Sequence, residues 1–194
     1  MFVYDEPHRH GITFAQLKVL YQQADAMDQD MRIGVGFSGE IWRAETGQYG
    51  SSSSLYAFTA GACDICLISG LEFRRNPSTG ALEYQRQDAL DNHHYSRLVI
   101  AREAPTVELW TTAQVFGGDA PSTYYMPTAP ELQDLIDILF SPENQTLMQV
   151  DGIMFQNWAS PEPGQQQYTL ADPEFGELRE VVRNTAVRLR VLDE

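Results

Sequence analysis

Asp88-Ala-Leu-Asp-Asn-His-His-Tyr-Ser-Arg-Leu-Val-Ile-Ala101 is the stretch on which the fold reading turns. Asp88–His94 is polar and reads as a surface turn, and Tyr95–Ala101 is apolar and β-leaning, reading as a strand. Thr106–Thr112 then forms its partner strand across Ala104-Pro105. Read this way, the middle of the chain is a run of strands uninterrupted by helices.

The neighbouring segments extend that run. Met31–Phe37 and Glu40–Glu45 read as strands joined at Ser38-Gly39, a tight hairpin. Gly47–Ser54 is small and polar, hence a loop. Leu55–Ala60 and Ala62–Phe73 are apolar, with Gly61 a bend between them. Asn76-Pro-Ser-Thr-Gly80 is turn chemistry leading into Ala81–Gln87. Gly152–Trp158 returns as a late strand.

Helical signals flank this region. Thr13 with Gln16 is a capping box, and Phe14, Leu17, Leu20, Tyr21, Ala24 and Met27 follow at helical spacing, predicting a helix over 14–29. Thr128 with Glu131 is a second capping box, opening a helix over 130–140 with Leu132, Leu135, Ile136 and Leu139 on one face. Ser141-Pro starts another short helix. Asp172-Pro173 caps a final one, with Arg183, Arg188 and Arg190 placed late, where the helix dipole favours cations. The expected fold is α+β: an N-terminal helix, an antiparallel sheet of about six to eight strands, and C-terminal helices packed on it. Residues 1–194 read as one domain, with 160–167 (SPEPGQQQ) a linker-like segment.

The charge is segregated. Residues 103–178 contain no Lys, Arg or His but twelve carboxylates, while the other 118 residues hold 15 acids against 13 bases. Of those bases only Lys18 is a lysine, a bias for which high-GC coding is the plain explanation and adaptation to high salt the alternative. A net charge of −14 opposes binding to nucleic acid and anionic membrane and favours basic partners. The N-terminus, MFVYDEPHRHG, lacks the basic-then-apolar order of a signal peptide, and no apolar stretch is long enough to span a membrane. A cytoplasmic protein is the expectation.

No motif fixes a reaction. Ser51–Ser54 lacks the glycine-flanked nucleophile elbow. Gly34-Val-Gly36 and Gly117-Gly118 lack the lysine and helix start of a phosphate loop, so Gly117-Gly118-Asp119 reads as a turn. No cofactor is implied. Cys63-Asp-Ile-Cys66 lies in a β-like run, where residues three apart face opposite sides; the two thiols are then expected to be separate core residues. The alternatives are a redox pair, although the helix-opening context of a thioredoxin-like site is missing, and a metal site using Cys63, Cys66, His93 and His94, although their spacing matches no familiar zinc motif.

The candidate binding surface is therefore the acidic block. Glu131, Asp134 and Asp137 recur at i, i+3 and i+6 on one helix, and Asp119, Tyr124 and Tyr125 precede them. A row of carboxylates beside aromatics suits a basic protein partner, such as one that handles nucleic acid. Three functions follow. One is a non-enzymatic acidic binding or inhibitor protein. The second is an enzyme or small-ligand receptor with a pocket on a curved sheet, its cavity using Trp42, Trp110 and Trp158. The third is a subunit of a larger, virus-type assembly, buried against its own copies or neighbours.

Overall fold

A computed structural model describes residues 2–5, 7–38, 58–69, 72–119, 122–156 and 167–192. The proposed Ser38-Gly39 hairpin, the strand at Glu40–Glu45, the Gly47–Ser54 loop, Trp42, Trp158 and nearly all of 160–167 lie outside these residues.

Asp88–Ala101 is helical. The helix α2, Arg86–Glu103, covers both the expected turn and the expected strand. Its buried residues Ala89, His93, Ser96, Val99 and Ile100 repeat every three or four positions and so share one face. The β-branched pair Val99-Ile100 gave the local β signal, and burial against the sheet outweighs that small propensity.

This one element changes the sheet. β1 (Phe2–Asp5), β2 (Ile33–Ser38), β3 (Ile65–Ser69), β6 (Glu108–Gln114) and β8 (Gly152–Gln156) form a five-stranded sheet in that spatial order. Every pairing in it is parallel. The expected antiparallel sheet of six to eight strands is thereby corrected. The antiparallel pairs are two small ribbons: β4 (Phe73–Arg75) with β5 (Leu82–Tyr84), and β7 (Phe116–Gly118) with β9 (Gln167–Thr169). A parallel neighbour requires a crossover, and among the described residues helices supply three of them. Helix α1 (Phe14–Met27) joins β1 to β2. Helix α2 precedes β6, and α3 (Ala129–Leu139) with α4 (Pro142–Met148) precedes β8. Helix α5 (Gly176–Leu192) closes the described chain, entered through a 3-10 turn at Pro173–Phe175. None of these helices is long and apolar enough to cross a membrane.

Strand order follows chain order, so right-handed crossovers put successive helices on the same face. The core agrees. Val35, Cys66 and Leu109 are in register across β2, β3 and β6, and with Phe37 and Ile68 they pack against Phe14 and Leu17 of α1 and Val99 and Ile100 of α2. Further along the same face, Ala113, Ile153 and Phe155 pack with Leu132, Leu135 and Leu139 of α3 and Leu178 of α5. On the opposite face Trp110 lies over Gly152, where an added Cβ would sit 2.5 Å from the indole.

Both capping boxes form: Thr13 Oγ1 accepts from Gln16 N (3.3 Å) and Thr128 Oγ1 from Glu131 N (3.4 Å), with each partner side chain reaching back. Asp172 accepts from Thr169 N rather than capping the final helix. Gly117-Gly118 is strand rather than turn, and Gly117 has no room for a side chain because an added Cβ would lie 2.0 Å from Met126 N.

Candidate functional site

In open parallel sheets ligands bind beyond the carboxyl ends of the strands, where loops converge on a rigid frame. Here that end is built by the segment leaving β3, the end of β6 and the loop before α3. Glu72 leads from β3 into the β4–β5 hairpin, and its carbonyl accepts from Gln85 N at 2.8 Å. Phe73 follows, fully buried, stacked on Tyr84 at 5.0 Å and edge-on to Tyr125 at 5.9 Å.

Gln114, at the end of β6, holds these pieces together. Its Oε1 accepts from Phe73 N (3.4 Å), and its Nε2 donates to the carbonyls of Phe73 (3.2 Å), Phe116 (2.9 Å) and Tyr125 (3.0 Å). A neutral amide suits a site with no accessible surface, because it satisfies backbone groups of both kinds without burying charge.

Glu72 is the exception in this satisfied framework. It is 3 % exposed, and neither carboxylate oxygen has a hydrogen-bond partner among the described residues. Burial pushes its carboxyl from an ordinary 4.5 up to about 8, only partly offset by its own backbone and by Arg74. At neutral pH it is therefore a protonated acid, able to donate. Tyr84 lies within its electrostatic reach. Burial, Asp134 and Glu72, in that order, hold the Tyr84 phenol well above its usual range.

His93, on α2, is a second buried group with an open valence. Its Nδ1 lies 2.7 Å from the Ala89 carbonyl, which can only accept, so Nδ1 carries the proton and Nε2 is bare. Nε2 has no partner among the described residues, and burial lowers the imidazole from 6.5 to about 4. Thr111 Oγ1 on the helix-facing side of β6 is likewise buried without a partner.

The acidic candidates occupy different positions. Asp134 Oδ2 accepts from Tyr84 Oη and Arg86 Nε, each at 3.1 Å. Asp137 pairs with Arg188 (3.1 Å), and Glu131 closes the capping box while accepting from Tyr125 Oη at 2.9 Å. Tyr125 is buried, and Tyr124 is half-buried, with Arg74 over its ring at 6.0 Å. Asp119 accepts from Tyr168 Oη at 2.7 Å. Glu108 and Asp151 pair with Arg32 and Arg97. Glu108, Asp134, Asp137 and Asp151 thus find arginines from outside the block, whereas Glu131 and Asp119 bond to tyrosines.

The metal candidates separate. His93 is buried on α2 and His94 lies edge-on to Tyr95, and among the described residues no group of three or more His, Cys, Asp or Glu could hold a metal ion. The cysteines do meet, contrary to the extended-strand expectation: β3 starts only at Ile65, and a bend before it brings the Cys63 Sγ to 3.2 Å from the Cys66 Sγ.

The sequence carried one overlooked signal for Glu72. It is a carboxylate inside the apolar run Cys66-Leu-Ile-Ser-Gly-Leu-Glu-Phe73, and charged residues are seldom fully buried without a reason. Comparison with protein-family models, with characterised proteins and with solved structures finds no match.

Proposed function

We propose that this chain is an enzyme of the α/β type. In this reading its site lies at the carboxyl ends of β3 and β6, and Glu72 is the proton donor. The supporting observation is Glu72 itself: a buried carboxyl with both oxygens unpartnered among the described residues, at the end of a parallel sheet where such proteins place their chemistry. An uncompensated buried carboxyl is costly, and strongly perturbed acids cluster at functional sites. A carboxyl that keeps its proton at neutral pH can protonate the leaving oxygen of an acetal or ester, the role a general acid needs. The surrounding acids favour neutral or cationic ligands over anionic ones.

The acidic-partner reading gains less support. Arg32, Arg86, Arg97, Arg102 and Arg188, all outside residues 103–178, each pair with a carboxylate inside it. Those pairs commit five of the block's twelve carboxylates, Asp134 and Asp137 among them, to contacts within the chain.

The test is a panel of neutral chromogenic glycosides and esters assayed with wild type and Glu72→Gln. Turnover is expected for at least one member, falling by roughly 100-fold or more in the variant, the usual worth of a general acid. The wild-type rate should decline as pH rises through about 8. Equal rates in the two proteins, or no turnover across the panel, would overturn the reading.

A further inference from the structure

At the opposite, amino-terminal end of the sheet, Cys63 and Cys66 sit under a polar cleft of about 450 Å³. Tyr21, Asp25, Arg32, Cys63, Asp64 and Thr106 are among its walls. Both cysteines belong to the core between sheet and helices, but Cys63, 3 % exposed, also lines this cleft, whereas Cys66, on β3, has no exposed surface. The two sulfurs are 3.2 Å apart, about 1 Å farther than a disulfide bond requires. Gly61, at φ +81°, turns the chain just before Cys63, a conformation glycine adopts without strain.

Asp64, between the cysteines, is pinned on both sides. Its Oδ1 accepts from Tyr21 Oη (2.6 Å) and its Oδ2 from Ile33 N (2.8 Å), while its backbone bonds to Ile33 O and Glu108 N. The backbone between the thiols is therefore held by α1, β2 and β6. Closing the gap asks for a small rotation at Cys63 and leaves β3 in place.

We propose that Cys63 and Cys66 form a redox modification site that exchanges with a small-molecule disulfide to give an internal Cys63–Cys66 disulfide. Cys63, on the cleft wall, loses its proton to solvent, and its thiolate attacks one sulfur of the incoming disulfide RSSR. A mixed disulfide Cys63–S–S–R forms, and RS⁻ leaves and is protonated. The Cys66 thiol then gives up its proton and attacks Cys63 Sγ, expelling the second RS⁻, which is protonated in turn. The protein is oxidised by two electrons and RSSR is reduced to two RSH. The order follows from position: of the two buried cysteines, Cys63 is the one that lines the cleft. Burial raises the Cys66 thiol, which keeps it protonated until a sulfur is presented to it. This site is independent of Glu72 and of the reaction proposed there.

The test uses the folded full chain with oxidised glutathione as probe, read by intact-mass spectrometry. Wild type should lose two hydrogens and retain no glutathione. Cys66→Ser should accumulate one glutathione adduct on Cys63, and Cys63→Ser should form none. Because a core cysteine variant can misfold, the wild type supplies a second reading: iodoacetamide should alkylate native Cys63 at least tenfold faster than Cys66. Two free thiols after prolonged oxidation of wild type, or equal alkylation of both cysteines, would overturn the proposal.

Discussion

Glu72→Gln is the substitution that most directly interrogates the candidate site, because it separates a buried neutral acid from an ordinary carboxylate. In the folded protein this carboxyl titrates at about 8, against 4.5 for an unburied one. Between those values the folded state binds a proton that the unfolded chain has released. Stability must then fall as pH rises through this window and level off above 8. Each pH unit inside it changes the unfolding equilibrium tenfold, so the gap from 4.5 to about 8 amounts to roughly 5 kcal/mol. That is comparable with the whole stability of many domains. His93 runs the other way: its neutral form is favoured by folding, so stability is lost as pH drops from 6.5 toward 4. The raw profile mixes the two, but subtracting wild type from Glu72→Gln cancels His93. Urea unfolding at pH 5, 6, 7 and 8 should show the variant gaining on wild type by about 3 kcal/mol between pH 5 and 7. A difference that stays flat with pH would refute the buried, unpartnered carboxyl and remove the basis for a proton donor at that position.

Two further substitutions test the surrounding framework. Gln114→Ala strips one partner from three backbone carbonyls at a site without solvent, and should cost on the order of 3 kcal/mol or more in urea unfolding; a loss below about 1 kcal/mol would mean that water replaces the amide. Reversing Glu131, Asp134 and Asp137 to Lys removes a capping box and the partners of Arg86 and Arg188. Thermal unfolding should show a loss of about 1–3 kcal/mol, mostly from the cap. Unchanged or increased stability would return these acids to a solvated face.

The helices flanking the sheet were readable because their signals are local. Thr13 with Gln16 and Thr128 with Glu131 are capping boxes in the sequence and in the structure. The sheet was not readable, and α2 shows why. Arg86–Glu103 has little apolar contrast along its length: its sheet-facing side carries His93 and Ser96 among Ala89, Val99 and Ile100. Ser96 hides its hydroxyl by donating to Asn92 O at 2.6 Å, which makes a polar residue serve as a core one. Periodicity sees only the polarity and reads a turn. With that helix missed, β3 and β6 look like neighbours in a meander, and a parallel sheet becomes antiparallel. Glu72 was hidden for a related reason, since its burial and its lack of a partner among the described residues arise in space, which no spacing along the chain can reveal.

The segregation of charge has a structural account in the same layers. Residues 103–178 supply β6, β8 and helices α3 and α4, whereas α1, α2 and β2 come before them and α5 after. Arg86 and Arg97 project from α2, Arg32 from the start of β2 and Arg188 from α5, each reaching an acid on the intervening elements. Arg97 is the most buried of these. It donates to the carbonyls of Met148 and Gln149 and to Asp151, and Asp151 in turn accepts from Leu109 N at 2.8 Å. Gln149 is the non-glycine residue with a left-handed backbone (φ 45°) among those described, so this arginine stabilises a strained helix end as well as an ion pair. A block without bases is thus the sequence trace of acids and arginines contributed from different layers. Its charge ties α2, α5 and the sheet together.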